Sequence, residues 1–403
     1  MHIGLYSPAW PPGEFPNGVV TYVRIVREEL LRLGHRVSVF SGHCEPDKSE
    51  GIYKVDASTR WPLLSALRRG IGRDREGHYD FGLRISQAVI QVHERDPLDV
   101  FEMEESFGWS RDVARQTRIP LVVKLHGPAF LSLIDVGQDP IKRDFRIKKE
   151  GSALCSAWFI VAPSRSTLLD SALKYSLKRS AMLSIPNPID QVLGDLLWSP
   201  LKDCSDEILF VGRFDKRKGG DAAIQAFAQL ARSRPRLHLT FIGPDTGLAR
   251  EDGSLEHFSE YLHTHLEPGV ASRIRFLGVR PAAEVQRLRV ASAVVMLTTR
   301  WESFGYALAE AMMQGCPIAA FDVPGVNELI EHGKTGLLAT LDDVNTLAEH
   351  VAYLLDHPEE AVALGANARA SISNQCGAEK VVNQMLDVYR LAAETPGAAC
   401  SRI

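Results

Sequence analysis

The chain has 403 residues, 45% of them hydrophobic, and its 46 basic and 50 acidic residues give a net charge of -4. This balance argues against a polyanion-binding surface over the whole protein, and we expect no nucleic-acid partner. Local basic patches are compatible with the same net charge. Six scattered cysteines without a C-x-x-C pair argue against a zinc site or a disulfide framework and fit a reducing cytosol. The length is sufficient for two domains.

The N-terminal segment opens directly into a strand-like run, and no apolar run reaches the roughly 18 residues that a membrane span needs. The sequence therefore predicts a cytoplasmic protein without a signal peptide. Two basic segments are either solvated helix faces or surfaces that contact an acceptor or an anionic membrane at its inner face. They are residues 142–149 and the arginines Arg68, Arg69, Arg73 and Arg75.

The predicted elements of the first half alternate between strand and helix. Residues 3–7 and 37–40 are predicted strands, and between them lie a glycine-bearing loop at 11–18 and an amphipathic helix at 19–33 that ends at Gly34. Residues 121–125 and 159–161 are short apolar runs typical of buried parallel strands. This alternation indicates the α/β class.

Proline and polar residues interrupt the pattern over 186–203, where we place an interdomain linker. Strands then follow at 208–211, 237–242, 274–276, 293–297 and 318–321, with helices at 221–231 and 305–313 and a helical tail beyond 378. The prediction is two Rossmann-like, doubly wound parallel sheets, in domains 1–192 and 193–377. Ligands of such sheets bind beyond the carboxyl ends of the strands, so facing domains would form a binding cleft.

A glycine-bounded turn after the first strand of the second domain carries Arg213 and Lys218. These cations are either solvated side chains of an ordinary loop or partners of phosphate oxygens. In the second case they would stabilise a leaving diphosphate as its charge grows. The helix that follows would add the positive end of its dipole.

Two carboxylates, Glu302 and Glu310, flank the predicted start of the helix at 305–313. Carboxylates accept hydrogen bonds from sugar or ribose hydroxyls, but a chain with 50 acidic residues contains such a pair by chance. Gly305 strengthens the interpretation, because the backbone can approach a ligand closely there. Together with the basic turn, this segment predicts an enzyme that holds an activated sugar by its diphosphate.

Four residues of the first domain are further candidates. His126 ends a predicted strand and precedes a glycine, so it is either structural or lines a cleft. Glu104, Glu105 and Trp109 follow the short apolar run 100–101 and either need no function or receive a hydroxyl-bearing acceptor.

Two nucleotide-binding motifs are excluded. No G-x-G-x-x-G follows the first strand, so the sequence gives no support for a dinucleotide cofactor. Gly333, Lys334 and Thr335 look like the end of a P-loop, but Glu328 stands where its first glycine would have to be.

An ordered set of short motifs covers nearly the whole chain and resembles the family 4 retaining glycosyltransferases, which have the two-domain GT-B fold. The set comprises Asn17 with Gly18, residues 125–127, 161–164, 186–190, 212–219, 241–243 and 276–278, the Glu302 and Glu310 pair, and residues 317–320, 325–330 and 333–338. The resemblance implies metal-independent transfer of a hexose from a nucleotide-diphosphate sugar, with UDP-sugars favoured, to a hydroxyl of a glycan, glycolipid or small molecule. It implies no cofactor.

The resemblance also assigns residues to the donor. Arg213 and Lys218 would bind the diphosphate, Glu302 the transferred sugar and Glu310 the ribose. Further donor contacts are implied for Gly18, Gly243, Val279, Phe304, Gly305, Tyr306 and Ala307, with Val279 near the base and Gly18 at the diphosphate. His126 would lie beside the sugar, and the final helix, within 378–403, would pack on the first domain.

Two other functions agree with the same residues. A nucleotide-sugar epimerase or phosphorylase could use the same architecture, and product analysis would separate it, since an epimerase consumes no acceptor. A sugar-nucleotide-binding protein without catalysis would bind the donor and turn over no acceptor.

Overall fold

The computed structural model describes residues 1–12, 17–44, 50–55, 81–132, 140–177, 181–200 and 206–395. The predicted basic patch at residues 68–75 and the end of the predicted tail, 396–403, lie outside the described residues. The chain divides into two compact units, one built mainly from Met1–Leu131, Asp139–Pro188 and the segment from Ala378 onward, the other mainly from Ile189–Gly377. Both contain a parallel sheet with helices, which confirms the predicted α/β class.

The described residues of the first unit form a sheet of seven strands. They are β1 (His2–Ser7), β2 (Arg36–Ser41), β3 (Ile52–Lys54), β4 (Val100–Glu104), β5 (Leu121–Lys124), β6 (Phe159–Ala162) and β7 (Ala181–Ser184). They pair in parallel in the order β3-β2-β1-β4-β5-β6-β7. The order reverses between β1 and β4, so the loops that leave these two strands diverge and open a crevice at the carboxyl edge of the sheet.

The helices of this part of the chain connect the strands. They are α1 (Gly18–Arg32), α2 (Phe81–His93), α3 (Ser110–Thr117), α4 (Ala129–Ser132), α5 (Pro140–Leu154) and α6 (Arg165–Tyr175). Helix α1 begins one residue before its predicted start, because the Asn17 side chain accepts a hydrogen bond from the Val19 N–H at 2.9 Å and caps the helix. Its apolar stripe is buried, as the periodicity predicted.

The second unit repeats this plan with strands β8 (Glu207–Val211), β9 (His238–Ile242), β10 (Leu248–Ala249), β11 (Leu255–Glu256), β12 (Ile274–Gly278), β13 (Val294–Leu297), β14 (Ile318–Asp322) and β15 (Leu337–Thr340). Six of them form a parallel sheet in the order β12-β9-β8-β13-β14-β15, and β10 pairs with β11. The order reverses between β8 and β13, which again marks a crevice. The sequence missed β3 and β7 of the first unit and β10, β11 and β15 of the second, of which β10 and β11 have only two residues each.

The helices of the second unit are α7 (Gly220–Ser233), α8 (Phe258–His265), α9 (Pro268–Ala271), α10 (Ala282–Ala291), α11 (Tyr306–Met313), α12 (Val344–Asp356) and α13 (Pro358–Cys376). All of them except α10 contribute to one apolar core against the sheet, whereas Val285 of α10 packs with Leu209 and Ile242 in a smaller cluster. The helices of the described chain lack the combination of length and apolar character that a bilayer span requires.

The last helix, α14 (Ala378–Glu394), packs in the first unit against α1, β4 and β5. Its Tyr389 is fully buried, and the hydroxyl donates a hydrogen bond to Oε2 of Glu102 on β4 at 2.7 Å. Burial raises the pKa of Glu102, which is 3% exposed. The tyrosine hydroxyl therefore satisfies a carboxyl group that has little access to water.

Replacing Tyr389 with phenylalanine should lower the free energy of unfolding by roughly 1–3 kcal/mol, because a buried carboxyl group loses one of its hydrogen-bond donors. Denaturant unfolding measures the change. The matched control is Tyr353→Phe, since the Tyr353 hydroxyl also donates to a carboxylate, that of Glu360, but both groups are exposed. There the loss should stay within about 0.5 kcal/mol. Equal losses in both variants would show that burial of the bond is unimportant.

Candidate functional site

Three neighbouring strands of the second unit, β8, β9 and β12, end at glycines: Gly212, Gly243 and Gly278. Gly243 has a φ of +143°, and a Cβ atom there would stand 2.0 Å from the carbonyl oxygen of Gly212. Only glycine fits this place, so the backbones of the two loops approach closely. Val279, which follows β12, is 49% exposed. At this edge of the sheet, the backbone of the glycine-bearing loops and the exposed side chain of Val279 are the groups that a ligand would meet.

The loop between β8 and α7 carries Arg213 and Lys218, and Asp215 organises both. Nε of Arg213 donates to one Asp215 oxygen at 2.7 Å, and the backbone N–H of Lys218 donates to the other at 2.6 Å. Asp215 is 9% exposed, so it holds the turn from within. The Arg213 side chain is 41% exposed, which leaves it accessible to an anion.

Gly219 closes this loop against the segment after β13. Its φ is +71°, and a Cβ atom would stand 1.8 Å from the carbonyl oxygen of Thr298. The Thr298 hydroxyl donates to the Gly219 carbonyl at 2.6 Å. Because β8 and β13 are neighbours in the sheet, these contacts hold the basic loop beside the segment that carries Glu302.

The predicted sugar and phosphate residues meet here, although they lie 84 positions apart in the chain. The Lys218 ammonium donates to Oε1 of Glu302, and the Thr299 hydroxyl lies 3.4 Å from the same oxygen. Nη1 of Arg217 lies 4.0 Å from Oε2. Burial opposes ionisation of Glu302, but Lys218 and Arg217 outweigh it and hold the pKa of the carboxyl group below its usual value. Burial lowers the pKa of Lys218, and Glu302 opposes that shift.

The segment 304–310 leads from this cluster into α11. Gly305 has a φ of +82° and precedes the first helical residue, Tyr306, so the helix N-terminus lies directly after the Glu302 turn. Phe304 is buried, while Tyr306 and Ala307 are half-buried. Glu310 lies on α11, and its carboxylate pairs with the guanidinium of Arg289.

The sequence singled out Arg213, Lys218 and Glu302 but missed the side chains that hold them, Asp215 and Thr299. The role of Asp215 could have been predicted from the sequence, because aspartate side chains in turns commonly accept hydrogen bonds from nearby backbone N–H groups. No sequence pattern indicated the role of Thr299, since its contact with Glu302 depends on how the chain turns after β13.

In the first unit, Glu105 joins the loops after β4 and β5. Its carboxylate accepts the backbone N–H of His126 at 3.0 Å and that of Gly127 at 2.7 Å. Glu105 is 1% exposed. The structure therefore brings the predicted residues Glu105 and His126 together, with the carboxylate fixing the backbone of the turn.

A second buried carboxylate, Glu150 of α5, supports the same turn by accepting the Ala129 N–H at 2.8 Å. Nε of Arg146 donates to Glu150 at 3.1 Å. Glu104 is 8% exposed and accepts a hydrogen bond from Ser106 at 3.0 Å. Burial and the charge of Glu105 raise the pKa of Glu104 to about 8 and that of Glu150 to about 7. A carboxyl group that keeps its proton near neutral pH can donate a hydrogen bond as well as accept one.

The free energy of unfolding should therefore fall as pH rises from about 5 to about 8. Folded Glu104 keeps a proton up to about pH 8, whereas an unfolded glutamate releases it near 4.5, so the stability it contributes is complete below 4.5 and is lost through pH 8. Glu104→Gln should flatten this dependence by roughly 2–5 kcal/mol. Urea unfolding across the pH range measures it. Glu28→Gln, at a side chain 56% exposed, is the control and should keep the wild-type slope; an unchanged slope in Glu104→Gln would contradict the expectation.

The remaining predicted site residues of the first unit are His126, Trp109 and Gly18. Burial lowers the pKa of His126 to about 3, with Lys124 adding to the shift, so its imidazole is neutral near pH 7 and can act as a hydrogen-bonding group. Its ring contacts Tyr22 edge-on at 5.0 Å. Trp109 is 7% exposed and packs on Tyr6. Gly18 is exposed at the start of α1. Ligand contacts of these residues stay predictions.

Both halves of the chain match known protein families. Residues 16–192 match the family described as Glycosyltransferase Family 4, and residues 199–371 match the family described as Glycosyl transferases group 1.

Solved structures share the fold over almost the full chain. The sucrose-phosphate synthase of Thermosynechococcus elongatus superposes with a TM-score of 0.74 at 22% identity, covering 98% of this chain and 100% of that one. HepE of Anabaena, solved with UDP-glucose, has a TM-score of 0.70 at 20% identity, covering 97% and 100%. The fold is that of the GT-B glycosyltransferases.

Curated relatives agree with this class. The D-inositol 3-phosphate glycosyltransferase of Corynebacterium glutamicum is 34% identical over 392 residues, which cover 90% of this chain and 89% of the relative. The N-acetyl-alpha-D-glucosaminyl L-malate synthase of Bacillus anthracis is 31% identical over 323 residues, 77% and 79% of the two chains. The chain belongs to the family 4 glycosyltransferases, enzymes that transfer a sugar from a nucleotide-sugar donor, which confirms the predicted class and function.

Proposed function

We propose that this enzyme transfers a hexose from a UDP-sugar, without a metal ion and with retention of configuration, to a hydroxyl of a small anionic acceptor. The observation that carries the donor half is the contact between Lys218 and Glu302 beside the accessible side chain of Arg213. Two cations and a carboxylate are thereby gathered at the crevice between β8 and β13, where a doubly wound sheet binds nucleotides.

In this proposal Lys218 and Arg213 bind the diphosphate, and the N-terminus of α11 adds partial positive charge. The acceptor oxygen forms its bond to the anomeric carbon on the face from which the diphosphate departs. The bond from that carbon to the phosphate oxygen breaks, and the departing oxygen takes the proton of the acceptor hydroxyl. The two side chains stabilise the charge that grows on the diphosphate, the work that a metal ion does in other transferases.

The choice of donor and acceptor rests on the relatives. HepE, which shares the fold, was solved with UDP-glucose, and this supports a UDP-sugar. Two relatives above 30% identity are named for inositol 3-phosphate and malate, which are small anionic compounds with hydroxyl groups. We therefore place phosphorylated polyols and hydroxy acids ahead of glycans and glycolipids as acceptors.

The first test is a thermal-unfolding panel of UDP-, GDP-, ADP- and TDP-sugars with the wild-type protein. A ligand at 100 times its dissociation constant adds about 2.7 kcal/mol, which moves the midpoint by several degrees. The stabilising donor is then incubated with D-inositol 3-phosphate or L-malate, and the product's anomeric configuration is read by NMR, with and without a chelator.

The possible outcomes of these measurements distinguish the candidate functions. A UDP-sugar that stabilises and yields a retained product supports the proposal. A sugar changed without an acceptor favours an epimerase, and binding without turnover on any acceptor favours a non-catalytic binding protein. No stabilisation by any donor contradicts the donor site.

We also propose that the enzyme works at the cytoplasmic face of an anionic membrane, through the first turns of α5. Ile141 is 79% and Phe145 39% exposed there, beside the cations Lys142 and Arg143. Exposed apolar residues among cations are typical of a helix that lies on a membrane surface.

Sedimentation with phosphatidylglycerol vesicles tests this placement. The wild-type protein should sediment in low salt and remain in solution with phosphatidylcholine alone, and Lys142→Glu with Arg143→Glu should abolish sedimentation. Lys380→Glu with Arg390→Glu, on exposed positions of α14, is the control. Loss of sedimentation in the control, or none in the wild type, would contradict the membrane contact.

A further inference from the structure

Arg289 is a buried cation next to the residue predicted to bind ribose. It lies on α10, and only 2% of its side chain is exposed. Its Nη2 donates to Oε2 of Glu310, and its Nη1 lies 3.3 Å from the side-chain oxygen of Gln314. A guanidinium that has left water needs a partner charge, and Glu310 supplies it.

Arg289 is itself held in place by Gln314, which is 1% exposed. The Gln314 amide donates to the carbonyl of Leu196 at 3.1 Å and to that of Gln286 at 2.9 Å. These two bonds leave the amide oxygen facing Arg289 and fix the orientation of Gln314. The guanidinium therefore presents its Nη2 in a defined direction.

Glu310, the partner of the buried Arg289, lies at the surface of α11, where 39% of its side chain is exposed. An ionised carboxylate has about four acceptor positions, so the bond to Arg289 does not exhaust it. Without Arg289, the carboxylate could rotate freely among the rotamers of an exposed glutamate.

We propose that Arg289 is the positioning residue that orients Glu310 toward the ribose hydroxyls and gives the nucleotide site its preference for ribose over deoxyribose. This inference rests on the proposed donor site. The same ion pair could serve folding alone, in which case its loss would reduce stability and leave ribose recognition unchanged.

The test compares the affinity of UDP with that of 2′,3′-dideoxy-UDP and of inorganic pyrophosphate by calorimetry. Wild-type protein should prefer UDP to the dideoxy compound by roughly ten- to a hundred-fold, as expected for hydrogen bonds to a charged group. Arg289→Met should reduce this ratio to less than about threefold, and the affinity for pyrophosphate should stay unchanged. Glu310→Gln should lower the ratio as well, and the double variant should lose no more than either single one.

Arg287→Met is the matched control, because Arg287 lies on the same helix in an exposed position and should keep the wild-type ratio. If Arg289→Met does not fold, Arg289→Lys replaces it and should still lower the ratio, since an ammonium cannot make the two-branched contact. An unchanged ratio in the folded Arg289 variant, or no ribose preference in the wild type, would overturn the inference while the donor site stands. Absence of UDP and pyrophosphate binding in the wild type would instead overturn the donor site.

Discussion

Lys218→Met should lower the turnover number by roughly 10²–10³-fold, the largest effect expected of a single substitution at the donor site. The ammonium group lies at the meeting point of the basic loop and Glu302, and in the proposed reaction it stabilises charge that appears only as the diphosphate leaves. Methionine is an unbranched side chain shorter by one heavy atom, and it removes this charge. Steady-state release of UDP with saturating donor and acceptor measures the change.

Lys216→Met is the matched control in the same loop. Its ammonium binds Asp221 at 2.9 Å, and its side chain is 46% exposed. Its turnover should stay within about threefold of wild type, since the pair is a partly solvated one. If Lys218→Met kept wild-type turnover, the proposed role of the ammonium would be wrong. A thermal-unfolding curve of each variant separates loss of chemistry from loss of fold.

Gly219→Ala should destabilise the second unit by roughly 2–5 kcal/mol, the sum of a left-handed backbone and an overpacked contact. The added Cβ atom would stand 1.8 Å from the Thr298 carbonyl oxygen, so the loop and the segment after β13 would have to separate. The same separation moves Lys218 away from Glu302. Donor affinity should fall together with the unfolding midpoint.

Gly253→Ala isolates the effect of the contact. Gly253 has a φ of +82°, similar to that of Gly219, but a Cβ atom there would meet nothing within 4 Å. Only the backbone cost of about 1–2 kcal/mol should remain, and donor affinity should be unchanged. Equal destabilisation in both variants would mean that the close approach to Thr298 has no energetic role.

Burial and the nearby charge of Lys124 limit the chemistry available to His126. An imidazole with a pKa near 3 does not shuttle protons at neutral pH, so at that pH the residue can act only as a neutral hydrogen-bonding group. Glu105 and Glu150 fix the turn on which it lies. Glu104 and Glu105, which the sequence presented as acceptor candidates, are both buried.

The sequence by itself determined the α/β class, most of the strands and the basic loop, because these depend on local patterns. Short apolar runs such as 121–125 and the helical stripe of 19–33 specify elements through the periodicity of side chains along the backbone. The cations Arg213 and Lys218 were visible for the same reason, since they flank glycines on a single turn.

Only the tertiary structure decided which side chains meet. Lys218 contacts Glu302 across 84 positions because β8 and β13 are neighbours in a sheet whose order reverses there. The pairing of Arg289 with Glu310 likewise joins two helices, α10 and α11, across 21 positions of the chain. Burial sets the unusual pKa of Glu104. Strand order, helix packing and burial arise from contacts between distant residues, and no local pattern along the chain carries them.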